Sequence, residues 1–373
     1  MGTVRAGVAI AVLATGCTRI LGVHDFPPEV VDNKTCYGTM FPVCFDVALP
    51  DPRTLSGAID TDDVLCRGTL SDGTSACIIA ATDLTVLNVR AHGSLPLLLI
   101  AQDQLTISGT LDVGSHGGVT GPNADGLACI PATPGWGEDQ QAGLRASAGG
   151  AGGSFGALGG DGGGVQDNQS TAVGGGRANS AIAKTALRGG CPGSAGGVPG
   201  PGTIMVGQML APSVPGAGGG AVVLVADAIQ IDGAVDASGG GGGGGGMTVQ
   251  RQYGGGGAGG GSGGLVVLDA SIAMVSGLVI ANGGGGGSGG GRNSLGKAGA
   301  DGGPPLDSAA PGGTSGDPET GAGGNGGGRA MTAGDGITLQ FSSDSGAGGG
   351  GGGTGLVLSR VAIANASPAA MSP

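Results

Sequence analysis

Four aspartates are the residues best placed to do chemistry: Asp103 and Asp112 stand nine positions apart, and Asp227 and Asp236 repeat that spacing further along. An enzyme that hydrolyses or eliminates across a sugar bond needs carboxylates clustered on one sheet face, and an eliminating enzyme also needs an Arg or Lys base beside calcium. Asp103 with Asp227, and Asp112 with Asp236, form two columns of that kind. A third related segment puts Ser271 and Ile280 in the same columns, and Arg90 and Arg360 are the only basic residues in the apolar segments. The columns therefore read as solvated edge residues. A polysaccharide lyase or glycoside hydrolase is the enzymatic alternative to a protein without catalysis.

Other motifs fail on their context. "GRNSLGKA", from Gly291, follows the phosphate-loop pattern to Lys297, then places Ala298 where a magnesium-binding hydroxyl belongs and continues into "GADGGPP", which cannot start a helix. "GGDGGGVQD", from Gly159, lacks the aspartate slot of glycine-rich calcium solenoids. "DTDD", Asp60 to Asp63, reads as a solvated turn, and His92 and His116 as surface residues with no nucleophile or third ligand nearby. No catalytic residue, cofactor or metal is expected. A formal charge of -12 with only 15 Lys and Arg argues against nucleic acid as a partner, since that needs clustered positive charge, and none is expected.

The elements that position these aspartates come from an internal repeat. "AVVLVADAIQIDGAVDASG", from Ala221, aligns without a gap on "LVVLDASIAMVSGLVIANG", from Leu265, and on "LLLIAQDQLTISGTLDVGS", from Leu97. Gly109, Gly233 and Gly277 fall in one slot, a bend where neighbouring backbone excludes a side chain. A shortened copy begins at Gly355, and "LTVLNVRAHGS", from Leu84, anticipates the segment from Leu105. The second half of each copy alternates with period two, so Leu105, Ile107, Leu111 and Val113 share one face, while the first half is continuously apolar, as in a strand covered on both faces. Met274, Leu278 and Ile280 break the polar face of the third copy and predict a cover there, the C-terminal strand. Such units cannot bury their apolar faces alone and must stack.

The fold class predicted is all-β: a single-stranded parallel β-helix (β-solenoid) spanning 84–366, with long glycine-rich insertions at about 114–219, 239–264 and 283–354. A β-sandwich with glycine-rich loops is the alternative. Glycine makes up 93 of 373 residues without collagen's strict spacing. Ordering a bare backbone costs on the order of 1 to 2 kcal/mol per residue, so runs such as Gly239 to Gly246 are expected to be flexible tethers. Side-by-side packing as extended polyglycine helices is the other possibility.

"MGTVRAGVAIAVLATGC" has one basic residue, Arg5, a short apolar run and small residues leading to Cys17. It resembles a bacterial lipoprotein signal peptide, 1–17, although Ala14 stands where that family usually has Leu. The resemblance implies lipidation of Cys17 and, with Thr18 following, sorting to the outer membrane, on its periplasmic or its outer face. "ILGVHDFPPEV" then opens a tether, 18–53, followed by a disulfide-bearing cap, 54–83, and the chain ends in a tail, 367–373. The six remaining cysteines suggest Cys36 with Cys44, Cys66 with Cys77 and Cys129 with Cys191 among fifteen possible pairings.

"LTISGTLDV" and "IQIDGAVDA" resemble rungs of right-handed parallel β-helix proteins, secreted adhesins and pectin-lyase-like enzymes among them. The layout as a whole resembles myxobacterial-type glycine-rich lipoproteins. These resemblances imply a non-catalytic, lipid-anchored cell-envelope protein, structural or adhesive. Its partners would be the membrane, through the lipid, and polysaccharide or other envelope and matrix components, with no nucleotide. A carbohydrate-binding or carbohydrate-degrading β-helix protein is the alternative.

Overall fold

A computed structural model describes residues 34–124, 129, 137, 146–166, 172–179, 187–198, 212–247, 253–315, 317–340 and 344–373. Cys17, the signal segment 1–17 and the tether as far as residue 33 lie outside the described residues. In chain order the strands are β1 (Thr35–Tyr37), β2 (Val43–Phe45), β3 (Arg53–Asp60), β4 (Arg67–Thr69), β5 (Ser75–His92), β6 (Leu97–Ile107), β7 (Thr110–Asp112) and β8 (Val165–Gln166). They continue as β9 (Ala172–Val173), β10 (Ala221–Ile231), β11 (Ala234–Asp236), β12 (Leu265–Val275), β13 (Leu278–Ile280), β14 (Leu339–Gln340), β15 (Leu356–Ser359) and β16 (Ala366–Ser367). The described elements contain no helix.

Eleven strands form one large sheet, nearly closed on itself in a solenoid-like shape, with the path β15-β12-β10-β6-β5-β7-β11-β13-β16. All its pairings are parallel except β4 with β5, so the β-sandwich alternative is not what the strands form. The 18-residue β5 turns the corner, pairing with β6 along its first part and with β7 at its end. Each repeat copy contributes one tier, a long strand and a short one separated by a bend. The offset from β10 to β12 runs without interruption from Ala221↔Leu265 to Ile231↔Val275.

Between β6 and β10 the register slips once. Leu97 faces Val222 rather than Ala221, and the expected offset returns only at Ala228↔Gln104, so the gapless alignment from Leu97 is corrected by one residue in its first half. The stack also begins earlier than residue 84. β3 pairs in parallel with β5, and β5 itself starts at Ser75, so residues 53–83 supply tiers as well as the Cys66–Cys77 bond. At the other end Met371, in the expected tail, pairs in parallel with Leu358.

Two apolar layers hold the tiers. Leu84, Leu99, Leu105, Ile107, Leu111, Leu224 and Ile229 fill the interior. Leu98, Ile100, Val223, Val225, Leu265 and Val267 point outward from the same strands and are covered by Phe155 and by Val43, Tyr37 and Phe45 of the β1–β2 hairpin. The hairpin, closed by Cys36–Cys44, thus belongs to the folded body and corrects the reading of 34–50 as tether. Of the apolar residues expected to need cover, Ile280 is buried where β13 meets β16, whereas Met274 stays 54% exposed.

The glycine runs are packed, not tethers. The run 255–263 hydrogen-bonds with period three. Gly255, Ala258 and Gly261 donate to Gly246, Gly243 and Gly240. Gly256, Gly259 and Ser262 donate to Gly197, Ser194 and Cys191, and Gly257, Gly260 and Gly263 donate to Ala347, Gly350 and Gly353. Its carbonyls accept from three further runs, through Gly284, Gly287 and Gly290, through Gly150 and Gly153, and through Gly216 and Gly219. Three residues per turn with no internal hydrogen bond is the extended helix of the polyproline II type. Six neighbours around one such rod make a close-packed lattice. The expectation of mobility counted the entropy of bare backbone without its return: here the buried peptide groups find partners on adjacent rods, which approach closely because nothing stands between them.

The bend glycines obey the same rule. A Cβ on Gly233 would lie 1.9 Å from the Gly109 carbonyl oxygen, one on Gly277 1.8 Å from that of Gly233, and one on Gly109 1.8 Å from that of Leu87.

Candidate functional site

Of the four aspartates, Asp112 and Asp236 are cross-strand partners on β7 and β11. The side chain that joins them is His116, which sits in a tight turn: its N–H donates to the Val119 carbonyl at 3.2 Å and its carbonyl accepts from Val119 at 3.0 Å. Gly117 and Gly118 carry the positive φ angles, 57° and 81°, that such a two-residue turn needs. His116 Nε2 lies 3.4 Å from Asp112 and 3.6 Å from Asp236. Arg90 donates one N–H to Asp112 at 2.9 Å and another to the His116 carbonyl at 2.9 Å.

Burial works against the imidazolium, but the hydrogen bonds and charges of Asp112 and Asp236 outweigh it and raise the His116 pKa to about 10. Burial also works against the Asp112 carboxylate, yet His116, the Gly114 N–H and Arg90 hold it below the usual carboxylate range. His116, read from sequence as a surface residue, is thus a half-buried cation shared by two aspartates. The cluster pairs its charges internally, with His116 shared between Asp112 and Asp236 and Arg90 on Asp112.

His116 links stability to pH. A raised folded-state pKa gives stabilisation that is complete below the ordinary value of 6.5 and is lost as the pH rises through about 10. His116→Gln is expected to lower stability by about 2 kcal/mol near neutral pH, the scale of a hydrogen bond to a charged group, and to flatten the alkaline loss. Urea unfolding of both proteins across that range is the check, and equal alkaline slopes would contradict it.

Asp103 and Asp227 stand at a different corner. Both are exposed, on β6 and β10, at the polar bend between the halves of each tier. They do not join Asp112 and Asp236, so the four carboxylates do not make one site. Asp227 instead lines a groove of about 560 Å³ between the β1–β2 hairpin and the stacked strands, with Tyr37, Gln102, Asp269, Ser271 and Arg360. Nothing in the sequence singles out Asp269. Its side chain is 1% exposed and accepts from the Thr39 hydroxyl at 2.9 Å, the Met40 N–H at 3.0 Å and Arg360 at 3.4 Å, pinning the hairpin to β12. Burial opposes its charge, but the Thr39 and Met40 N–H groups, the Thr39 hydroxyl and Arg360 hold its pKa below the usual carboxylate value.

The remaining motifs have structural roles. Gly296, Gly299 and Gly302, in and after the phosphate-loop match, donate to Gly245, Gly242 and Gly239 as a lattice rod, and no helix follows. Asp161 accepts from the Ala178 N–H at 2.7 Å, while Asp167 lies outside the described residues. Asp62 accepts from the Ser94 N–H at 3.0 Å, closing a turn beside His92. Among the described residues no group of three or more His, Cys, Asp or Glu is placed to hold a metal ion. The bonds Cys36–Cys44, Cys66–Cys77 and Cys129–Cys191 are all formed. Comparison with protein-family models, curated proteins and solved structures gives no match.

Proposed function

We propose that the chain is a single-stranded parallel β-helix with three glycine-rich insertions, anchored to the outer membrane by lipid on Cys17, and that it serves as a structural or adhesive element of the cell envelope without catalysis. The observation that carries this reading is the lattice: rod 255–263 is hydrogen-bonded to six neighbours through both its N–H and C=O groups. Backbone committed on all sides resists bending, which suits a rigid projection. Three disulfides suit an oxidising compartment. The internal pairing of Asp112, His116, Asp236 and Arg90 speaks against the carbohydrate-degrading alternative.

Digestion of intact cells with an external protease, combined with metabolic lipid labelling, tests the anchor and its placement. The wild-type chain is expected to take the label and remain with the outer membrane, and Cys17→Ala to lose the label and appear in the soluble fraction. An unlabelled wild type, or a Cys17→Ala variant still held in the membrane, would overturn the reading.

A further inference from the structure

The groove beside the hairpin has a polar ladder along its length. Gln102 on β6, Asp227 on β10, Ser271 on β12 and Arg360 just after β15 come from four successive tiers. The register Val225↔Asp269 sets Asp227 beside Ser271, and Leu268↔Ser359 sets Arg360 beside Asp269. Tiers are separated by roughly 4.8 Å, which puts Asp227 and Arg360 about 10 Å apart along the stack. Thr35 and Tyr37 of the hairpin face this ladder across a floor of Ala101, Val225 and Ala226.

The two charged members of the ladder have bonding capacity left. The Asp227 side chain is exposed and takes part in no hydrogen bond or ion pair among the described residues. Arg360 reaches Asp269 with one nitrogen, at 3.4 Å, whereas a guanidinium carries five N–H donors in a fixed fork. Asp269 itself is occupied by the hairpin. A simple anion gains at Arg360 but is repelled at Asp227, a simple cation meets the reverse, and a neutral ligand hydrogen-bonds at both ends but forms an ion pair at neither. A zwitterion gains at both. An extended peptide advances about 3.3 to 3.6 Å per residue, so three residues span the separation.

We propose that this groove binds a short extended peptide by its free ends, the α-ammonium at Asp227 and the α-carboxylate at Arg360. Ser271 and Thr35 supply hydrogen bonds to the peptide groups between, Gln102 lies one tier beyond the ammonium end, and Tyr37 packs on the side chain that faces the hairpin. The site is independent of the anchoring and adhesive role proposed above.

Calorimetric titration of the full chain with trialanine, its N-acetyl form, its C-terminal amide, a doubly blocked form and a neutral disaccharide tests the proposal. Trialanine is expected to bind, and blocking either end to weaken binding by about tenfold. Asp227→Asn should lose the same factor and become indifferent to acetylation, and Arg360→Gln should become indifferent to amidation. Because Arg360 also touches Asp269, unfolding midpoints are measured in parallel; Asp227→Asn has no such contact and carries the test if Arg360→Gln is destabilised. No binding of trialanine, equal binding of the doubly blocked peptide, or binding of the disaccharide in its place would each overturn the proposal.

Discussion

Gly256→Ala is expected to cost far more stability than Gly255→Ala, although the two residues are adjacent in one glycine run. A Cβ on Gly256 would come 1.8 Å from the Ala148 carbonyl oxygen and 2.6 Å from its carbon, both of them backbone atoms that cannot rotate away. The rod must move, and through its hydrogen bonds to six others the displacement spreads. Overpacking in a well-packed core costs about 1 to 3 kcal/mol, and each buried peptide hydrogen bond left unmade adds on the order of 1 kcal/mol or more, so a loss of about 4 kcal/mol is expected. At Gly255 the nearest atom to such a Cβ is 3.4 Å away, an ordinary contact. There alanine should be neutral or should stabilise by up to about 0.5 kcal/mol, through the smaller freedom of the unfolded chain. Denaturant unfolding of the two variants decides the matter. Equal effects, in either direction, would mean that the rods are not in contact as described.

That contrast was not legible in the amino-acid sequence, although part of its cause was. Runs of glycine give no pattern of apolar side chains, and composition alone favours mobility. The usable signal is a period of three in the small residues that interrupt the runs. Ala148, Ala151 and Ser154 recur every third residue and are all fully buried. Cys191 and Ser194 share that spacing, and the Ser194 hydroxyl bonds Ala151 on the neighbouring rod. Such residues mark faces of a three-per-turn helix where the lattice leaves room for one or two atoms.

The strands show where pattern succeeds and where it stops. In the second half of each tier one face is buried and one is wet, and there the alternation of Leu105, Ile107 and Leu111 against Thr106, Ser108 and Thr110 fixed the register. In the first half both faces are buried. A slip of one residue exchanges the faces of a strand, and where both are apolar nothing in the sequence opposes it, which is how the shift between Val225 and Ala228 escaped detection. His116 escaped for another reason: its aspartates lie on two tiers, Asp112 and Asp236, brought together only by stacking. The available hint was a histidine four residues after Asp112, followed by a Gly-Gly pair suited to a tight turn.

Replacing Cys129 and Cys191 together by serine is expected to lower stability by about 4 kcal/mol, since closing a loop with 62 residues of sequence separation removes that much conformational freedom from the unfolded chain. The folded lattice need not change, because the rod containing Cys191 is held by other bonds. Gly190 donates to Gly219, Gly193 to Gly216, and Ser194 to Ala151, while Gly256, Gly259 and Ser262 donate back to it. The effect should therefore appear in the denaturant midpoint while the far-ultraviolet spectrum of the folded state stays the same. The Cys36–Cys44 pair offers the comparison. With a separation of 8 its chain-entropy contribution is smaller, about 2.5 kcal/mol, and it closes a hairpin that Asp269 already holds by Thr39 and Met40. Its removal should loosen the hairpin before the stack, giving early exposure of Tyr37 and Phe45 with little change in the main transition. If both double-serine variants shifted that transition equally, the long excursion from Cys129 to Cys191 would not be folding as one unit with the stacked strands.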